Sequence, residues 1–135
     1  MWQELGARLQ GRLVVARHPF TSIADDVSIG EGTMISAGAI ITPGATIGRG
    51  VILNTKSSVD HQTTIGDFAH LSAGATVGAN AVIGAETLIA LGARVASNRT
   101  VGARTVVGAG AMVVRDLPDD VVAYGVPARV IRSRA

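Results

Sequence analysis

The sequence predicts an all-β coil of hexapeptide repeats, wound as a three-sided prism of short parallel strands. Three observations predict it. An aliphatic residue recurs every six positions: Ile23, Ile29, Ile35, Ile41, Ile47, Leu53, Val59, Ile65, Leu71, Val77, Ile83, Ile89, Val95, Val101, Val107 and Val113. The residue two places before each is nearly always small or short, as at Thr33, Ala39, Ala45, Ser57, Thr63, Ala69, Ala75 and Thr87. The residue after it is often Gly, as at Gly30, Gly48, Gly66, Gly78, Gly84, Gly102 and Gly108. A helix repeats near 3.6 residues and a strand near 2, so this period belongs to neither alone. A fixed period of this kind marks a repeat architecture.

Each hexad reads as a short strand followed by a turn. The aliphatic residue points inward, the small residue shares the interior near a corner, and Gly and Asn accept the backbone angles of the corners. Three hexads close one turn of the coil, so each residue stacks on the one eighteen further on, at the ~4.8 Å spacing of paired strands. The unbroken register from Ile23 to Val113 predicts about five coils with no long loop. A solenoid needs capped ends. Trp2, Leu5 and Leu9 fall at helical spacing and predict a short N-terminal helix over 2–10, stopped at Gly11. Residues 12–20 read as extended. Leu117 to Asp120 read as a turn, Val121 to Ile131 as an extended closing segment broken by Gly125 and Pro127, and 132–135 as a frayed end. The division is therefore 1–20 as helix and linker, 21–116 as the coil and 117–135 as the closing segment.

Composition narrows the function. Hydrophobic residues make up 47% of the 135 residues and aromatics only 3%, which suits a narrow prism that has no room for rings. The chain has no Cys, which removes disulfides, thiolate metal sites and a Cys nucleophile, and fits a cytoplasmic setting. No apolar run approaches a membrane span and no signal-peptide core opens the chain. A net charge of +2 gives little reason to expect nucleic acid or a membrane surface as partner.

Two stretches carry more specific information. GVILNTKSSVDH (Gly50 to His61) is followed by IGDFAHLSAGA (Ile65 to Ala75), and the chain closes with YGVPARVI (Tyr124 to Ile131). Together they resemble the hexapeptide-repeat acetyltransferases, in particular the sialic acid O-acetyltransferases and the bacillosamine-pathway sugar N-acetyltransferases, over residues 18 to 132. The resemblance implies a left-handed parallel β-helix, assembled as a homotrimer, that uses acetyl-CoA to acetylate an amino or hydroxyl group, such as that of a nucleotide-linked sugar. It implies His61 as general base, His70 at the thioester of acetyl-CoA, and Leu91 and Ala109 as coenzyme contacts, with no metal. Two departures stand out. Gln62 follows His61 where close relatives carry an acid, so an amide would support the base, or Asp60 would take that part. The family also carries an N-terminal Rossmann-like domain that this chain has no room for; residues 2–20 resemble its last helix and linker.

The residues can be weighed on their own chemistry. His61, two places past Val59, should lie outward at a corner, and an imidazole there can take a proton from an attacking amine or hydroxyl near neutral pH. The plain alternative is a solvated surface His. His70 precedes Leu71 and should point out from a flat face, nine residues from His61 and half a coil away. The two converge only if a second chain supplies one of them. There His70 would donate to the developing oxyanion; otherwise it is an interface His. His18 shapes the entry to the coil, and Asn54 reads as a turn residue in left-handed conformation. Arg94, Arg99, Arg104, Arg129 and Arg132 could meet coenzyme phosphates or form a solvated face. Arg99 takes a small-residue position, which predicts a distorted corner. A zinc-dependent carbonic anhydrase of related fold needs three His ligands, and His18, His61 and His70 lack that spacing. An ice-binding face would need outward Thr, but most Thr here precede the aliphatic by two. A non-catalytic trimeric scaffold is the remaining rival.

Overall fold

The computed structural model describes residues 13–134. The helix expected over 2–10 lies outside them. Seventeen two-residue strands follow one another from Ala16–Arg17 to Met112–Val113, and none of the described residues is helical. They stack into three parallel sheets, which we call the first, second and third faces.

The first face begins with Ala16–Arg17 and continues through Met34–Ile35, Ile52–Leu53, His70–Leu71, Leu88–Ile89 and Val106–Val107. The second runs from Ser22–Ile23 to Met112–Val113, with Ser58–Val59 in its middle. The third runs from Ser28–Ile29 through Thr64–Ile65 to Thr100–Val101. Strands pair eighteen residues apart, as His70 with Ile52 and Leu88. The second face holds six strands, one per turn, so the solenoid has about six turns rather than five. The extra turn comes from its start. Ala16 already donates to Thr33 O at 2.9 Å and His18 to Ile35 O at 2.9 Å, so the stretch read as a linker enters the ladder.

The aliphatic residue of each hexad faces inward. Ile35, Leu53, Leu71, Ile89 and Val107 form one ladder, all at most 1% exposed. Each such side chain contributes about 1.5–3 kcal/mol when fully buried. Buried Thr residues act as more than small fillers. Thr87 Oγ1 donates to Gly102 O at 2.6 Å and accepts from Thr105 N at 3.2 Å, joining successive turns through the interior.

The corner glycines divide into two kinds. Positive φ falls three places after the aliphatic residue, at Gly44, Gly74, Gly92 and Gly110, and also at Lys56, Gln62, Phe68, Asn80 and Asn98. The glycines that directly follow the aliphatic residue serve packing instead. Five of them, Gly30, Gly48, Gly66, Gly84 and Gly102, line the corner between third and first faces, and a Cβ on Gly66 would stand 2.6 Å from Ala85 N. Asn54 is likewise not the left-handed residue of its corner. Its Oδ1 accepts from Thr55 N at 2.7 Å, while Lys56 takes φ +57°.

The eighteen-residue register ends after Val113. Leu117 bridges to Val101 and Val122 pairs with Val106, each sixteen residues on. The corner at Arg99 stays regular, with Asn98 N on Ala79 O at 2.8 Å and Arg99 O accepting from Val82 N at 2.9 Å. The shortening falls in the turn above it. There Asp116 Oδ1 accepts from Thr100 N at 2.9 Å in place of a backbone carbonyl, while Asp119 Oδ1 accepts from Ala103 N at 2.8 Å, as Asp67 Oδ1 does from Arg49 N in a regular turn. The closing segment is an antiparallel hairpin of Val121–Tyr124 and Arg129–Ser133 on the first face. Its end is tied down rather than frayed. Arg134 N donates to Asp120 O at 2.7 Å, and Arg104 forks onto Asp120 at 2.7 and 2.9 Å. That guanidinium holds the Asp120 carboxyl below its ordinary range.

Candidate active site

His61 lies at the corner between the second and third faces, after the strand Ser58–Val59, and is exposed. Two neighbours hold it. Asp60 Oδ1 accepts from the His61 backbone N–H at 2.8 Å and from Thr42 Oγ1 at 3.2 Å. Gln62 Oε1 lies 2.6 Å from His61 Nδ1. An amide oxygen only accepts, so Nδ1 carries a proton, and in the neutral ring Nε2 then keeps its lone pair. Asp60 fixes the backbone and Gln62 fixes the ring, which answers the question of which side chain stands beside the imidazole.

His70 opens its strand on the first face, pointing outward between Ile52 and Leu88. It is half-buried, and its Nε2 is sealed without a hydrogen-bond partner. Desolvation lowers its pKa, which favours the neutral ring. With Nε2 sealed, Nδ1 is the ring nitrogen that can meet a partner. The strand Thr64–Ile65 and two corners separate His61 from His70, so one chain does not bring the two rings together.

Leu91 and Ala109 stack at the corner between first and second faces, where Gly110 N donates to Leu91 O at 2.9 Å. Leu91 is 61% exposed. A Cβ on the adjoining Gly92 or Gly110 would meet nothing within 4 Å. Beside the exposed Leu91 side chain, the backbone at Gly92 and Gly110 stands open to its surroundings. Of the arginines, Arg99 approaches Asp116 at 4.0 Å and Arg104 is committed to Asp120. Among the described residues no group of three or more His, Asp or Glu is placed to hold a metal ion. No helix among them is long and apolar enough to cross a membrane.

One residue of this site escaped the sequence reading. Gly44 lies one turn below Gln62, and a Cβ there would force the Gln62 amide to shift. The signal was present, since residue 44 stands eighteen places before residue 62, but a corner glycine gave no reason to look for a contact there.

Fold and site together define a hexapeptide-repeat β-solenoid with outward imidazoles on two of its sides. Comparison with protein-family models finds no match, and comparison with curated proteins finds none. Solved structures do match. PerB of Caulobacter crescentus, in complex with CoA and GDP-perosamine, is 39% identical over 96% of this chain and 64% of its own, with a TM-score of 0.93. Mutants of that perosamine N-acetyltransferase in which a His is replaced by Asn or Ala were solved with the same two ligands. The acetyltransferase domain of PglB from Neisseria gonorrhoeae is 36% identical over 96% of this chain and 63% of its own, with a TM-score of 0.93. It was also solved with acetyl coenzyme A. AntD, an N-acyltransferase from Bacillus cereus, is 20% identical with a TM-score of 0.85 over 100% of this chain and 89% of its own, and shares the fold. The chain spans just under two thirds of the length of PerB and of the PglB domain. The neighbours of 36–39% identity are a perosamine N-acetyltransferase and an acetyltransferase domain, and the paired His motifs resemble enzymes of that kind.

Proposed function

We propose that this chain is an acetyl-CoA-dependent acetyltransferase of left-handed winding, acting on an amino group of a nucleotide-linked sugar. The observation that carries the reading is the 39% identity, over nearly the whole chain, to an enzyme bound to both CoA and GDP-perosamine. The geometry at His61 supports it. The amine lone pair attacks the thioester carbonyl carbon as His61 Nε2 takes the amine proton. The tetrahedral oxyanion then collapses, the carbon–sulfur bond breaks, and the coenzyme thiolate takes the proton back from the imidazolium. Proton transfer of this kind contributes about 10² to 10⁴ in rate. His70, in its Nδ1–H form, would be a donor for the oxyanion. Attack is direct, since the chain has no Cys and no obvious activated Ser to form an acyl-enzyme.

The coenzyme arm would lie along the open edge at Leu91–Gly92 and Ala109–Gly110, contacting backbone more than side chains. Because His61 and His70 project from different sides of one prism, the site needs a second copy, and we assign a homotrimer with a site at each boundary. His61→Ala should lower turnover at least 10²-fold with acetyl-CoA binding unchanged by calorimetry. Near-normal turnover removes His61 from the mechanism. A folded oligomer that does not bind acetyl-CoA would favour the scaffold instead.

A further inference from the structure

The corner below His61 contains a second part of the base. Gln62 has a left-handed backbone, φ +52°, and its side chain lies back over the preceding turn, where residue 44 is Gly. A Cβ at Gly44 would stand 2.7 Å from Gln62 Nε2, 3.2 Å from Cδ and 3.3 Å from Cγ. Backbone conformation alone does not demand glycine in this column. Asn80 and Asn98, the equivalent residues one and two turns above Gln62, have φ +55° and +61°. An Asn side chain therefore fits a left-handed corner of this solenoid, and Asn80 does so with Gln62 directly beneath it. What glycine supplies at 44 is the space that the Gln62 amide occupies, and a Cβ there would move the amide from its place against His61.

We propose that Gly44 is a positioning residue for the base. It seats the Gln62 amide so that Oε1 accepts from His61 Nδ1–H, which holds the ring in the tautomer whose Nε2 lone pair is free for the acceptor amine. This deepens the reading of His61 as general base and rests on it. The seat also accounts for an amide at 62. A neutral acceptor with a fixed position selects the tautomer by geometry, without needing the charge of a carboxylate. The competing account is packing alone, because Gly38 and Gly50 lie in the same way beneath Lys56 and Phe68.

The two accounts separate by experiment on the full chain. Gly44→Asn and Gly38→Asn each add a side chain at a left-handed corner of the same turn. Imidazole ¹⁵N shifts report which ring nitrogen of His61 is protonated. Gly44→Asn should reduce the Nδ1–H form and lower kcat about tenfold with KM for acetyl-CoA unchanged, since a wrong tautomer disables a base whose ring remains. Gln62→Ala should reproduce both effects, and Gln62→Glu, which can still accept from Nδ1–H, should retain the tautomer. Gly38→Asn should leave tautomer and kcat as in the parent. The proposal is overturned if Gly44→Asn keeps the parental tautomer and kcat, or if Gly38→Asn causes the same loss. Retained turnover in His61→Ala would instead defeat the base assignment, and the tautomer shift in Gly44→Asn would still show whether the seat exists.

Discussion

Replacing Gly66 and Gly92 separately by Ala tests whether the solenoid's glycines answer two different demands. Gly66 sits where one turn presses on the next. An added Cβ would stand 2.6 Å from Ala85 N, 2.8 Å from Gly84 C and 3.0 Å from Ala85 Cα. These are backbone atoms, which cannot rotate away. Bringing the closest to an ordinary contact near 3.4 Å separates the turns locally by roughly 0.8 Å. The Gly66 N–H donates to Ile83 O at 2.8 Å. Stretched to about 3.6 Å, it is no longer a hydrogen bond. That forfeits about 0.5–1.5 kcal/mol, and the overpacking adds about 1–3 kcal/mol, for a loss of about 1.5–4.5 kcal/mol. Gly92 has φ +64° and open space around it. Ala there meets only the left-handed penalty, about 1–2 kcal/mol. Urea unfolding followed by circular dichroism at one protein concentration measures both. Gly66→Ala should lower the midpoint clearly more than Gly92→Ala. Equal losses, or a larger one at Gly92, would refute the division and leave backbone strain as the sole reason for glycine.

Two further outcomes follow from the first face. Because desolvation lowers the His70 pKa, the unfolded chain takes up this proton at higher pH than the folded one. The group is silent above the ordinary value of 6.5, costs stability as pH falls through it, and levels off below the folded value. His70→Leu should therefore flatten the fall in Tm between pH 8 and pH 5, and parallel curves for the two proteins would contradict this. Leu88→Lys puts a charge at the outward position beside His70. It should yield folded monomer by sedimentation together with lost turnover, and an intact trimer would show that this face is not the boundary between copies.

Much of the fold was legible because the prism imposes its own bookkeeping on sequence. An inward side chain every sixth residue and a stack every eighteenth leave no other assignment, and the ladder through Leu53, Leu71 and Ile89 is the one the hexads predict. What was not legible depends on contacts between turns rather than on period. The glycine after each aliphatic residue suggested a special backbone angle; at Gly66 the cause is close approach of Ala85 in the next turn. The break near Arg99 was anticipated one turn too early. Arg99 keeps its corner because the turn above shortens and leaves its side chain partly exposed beside Asp116. The sixth turn was missed because Val15, partly buried against the core, and the paired Ala16–Arg17 stand outside the hexad series. At the site, the corner position of His61 could be read from its distance to Val59, but its partner could not. Asp60 and Gln62 flank it equally in sequence, and only the left-handed backbone at 62 turns the amide toward the ring.

The outward rows of the three faces link this architecture to the proposed chemistry. The interior dictates only the second residue of each strand, so the first is free to report on the surroundings. On the third face those residues are Ser28, Thr46, Thr64, Val82 and Thr100, mostly small and polar. The second face mixes Ser22, Ile40, Ser58, Thr76, Arg94 and Met112. The first face presents Met34, Ile52, His70, Leu88 and Val106, which is apolar but for one imidazole. A lone prism gains nothing from such a row facing water, whereas a second copy covering it would bury the aliphatic side chains. His70 lies in the middle of that row, already stripped of solvent at Nε2 and unpaired there. A lone imidazole is a poor choice for a purely adhesive surface, since its desolvation opposes protonation and adds no apolar gain that Leu or Ile would not exceed. Its place there makes sense if the boundary between copies must also present a neutral donor to a ligand. On the proposed reading, His61 of a second copy, carried outward on its own corner, would complete that site.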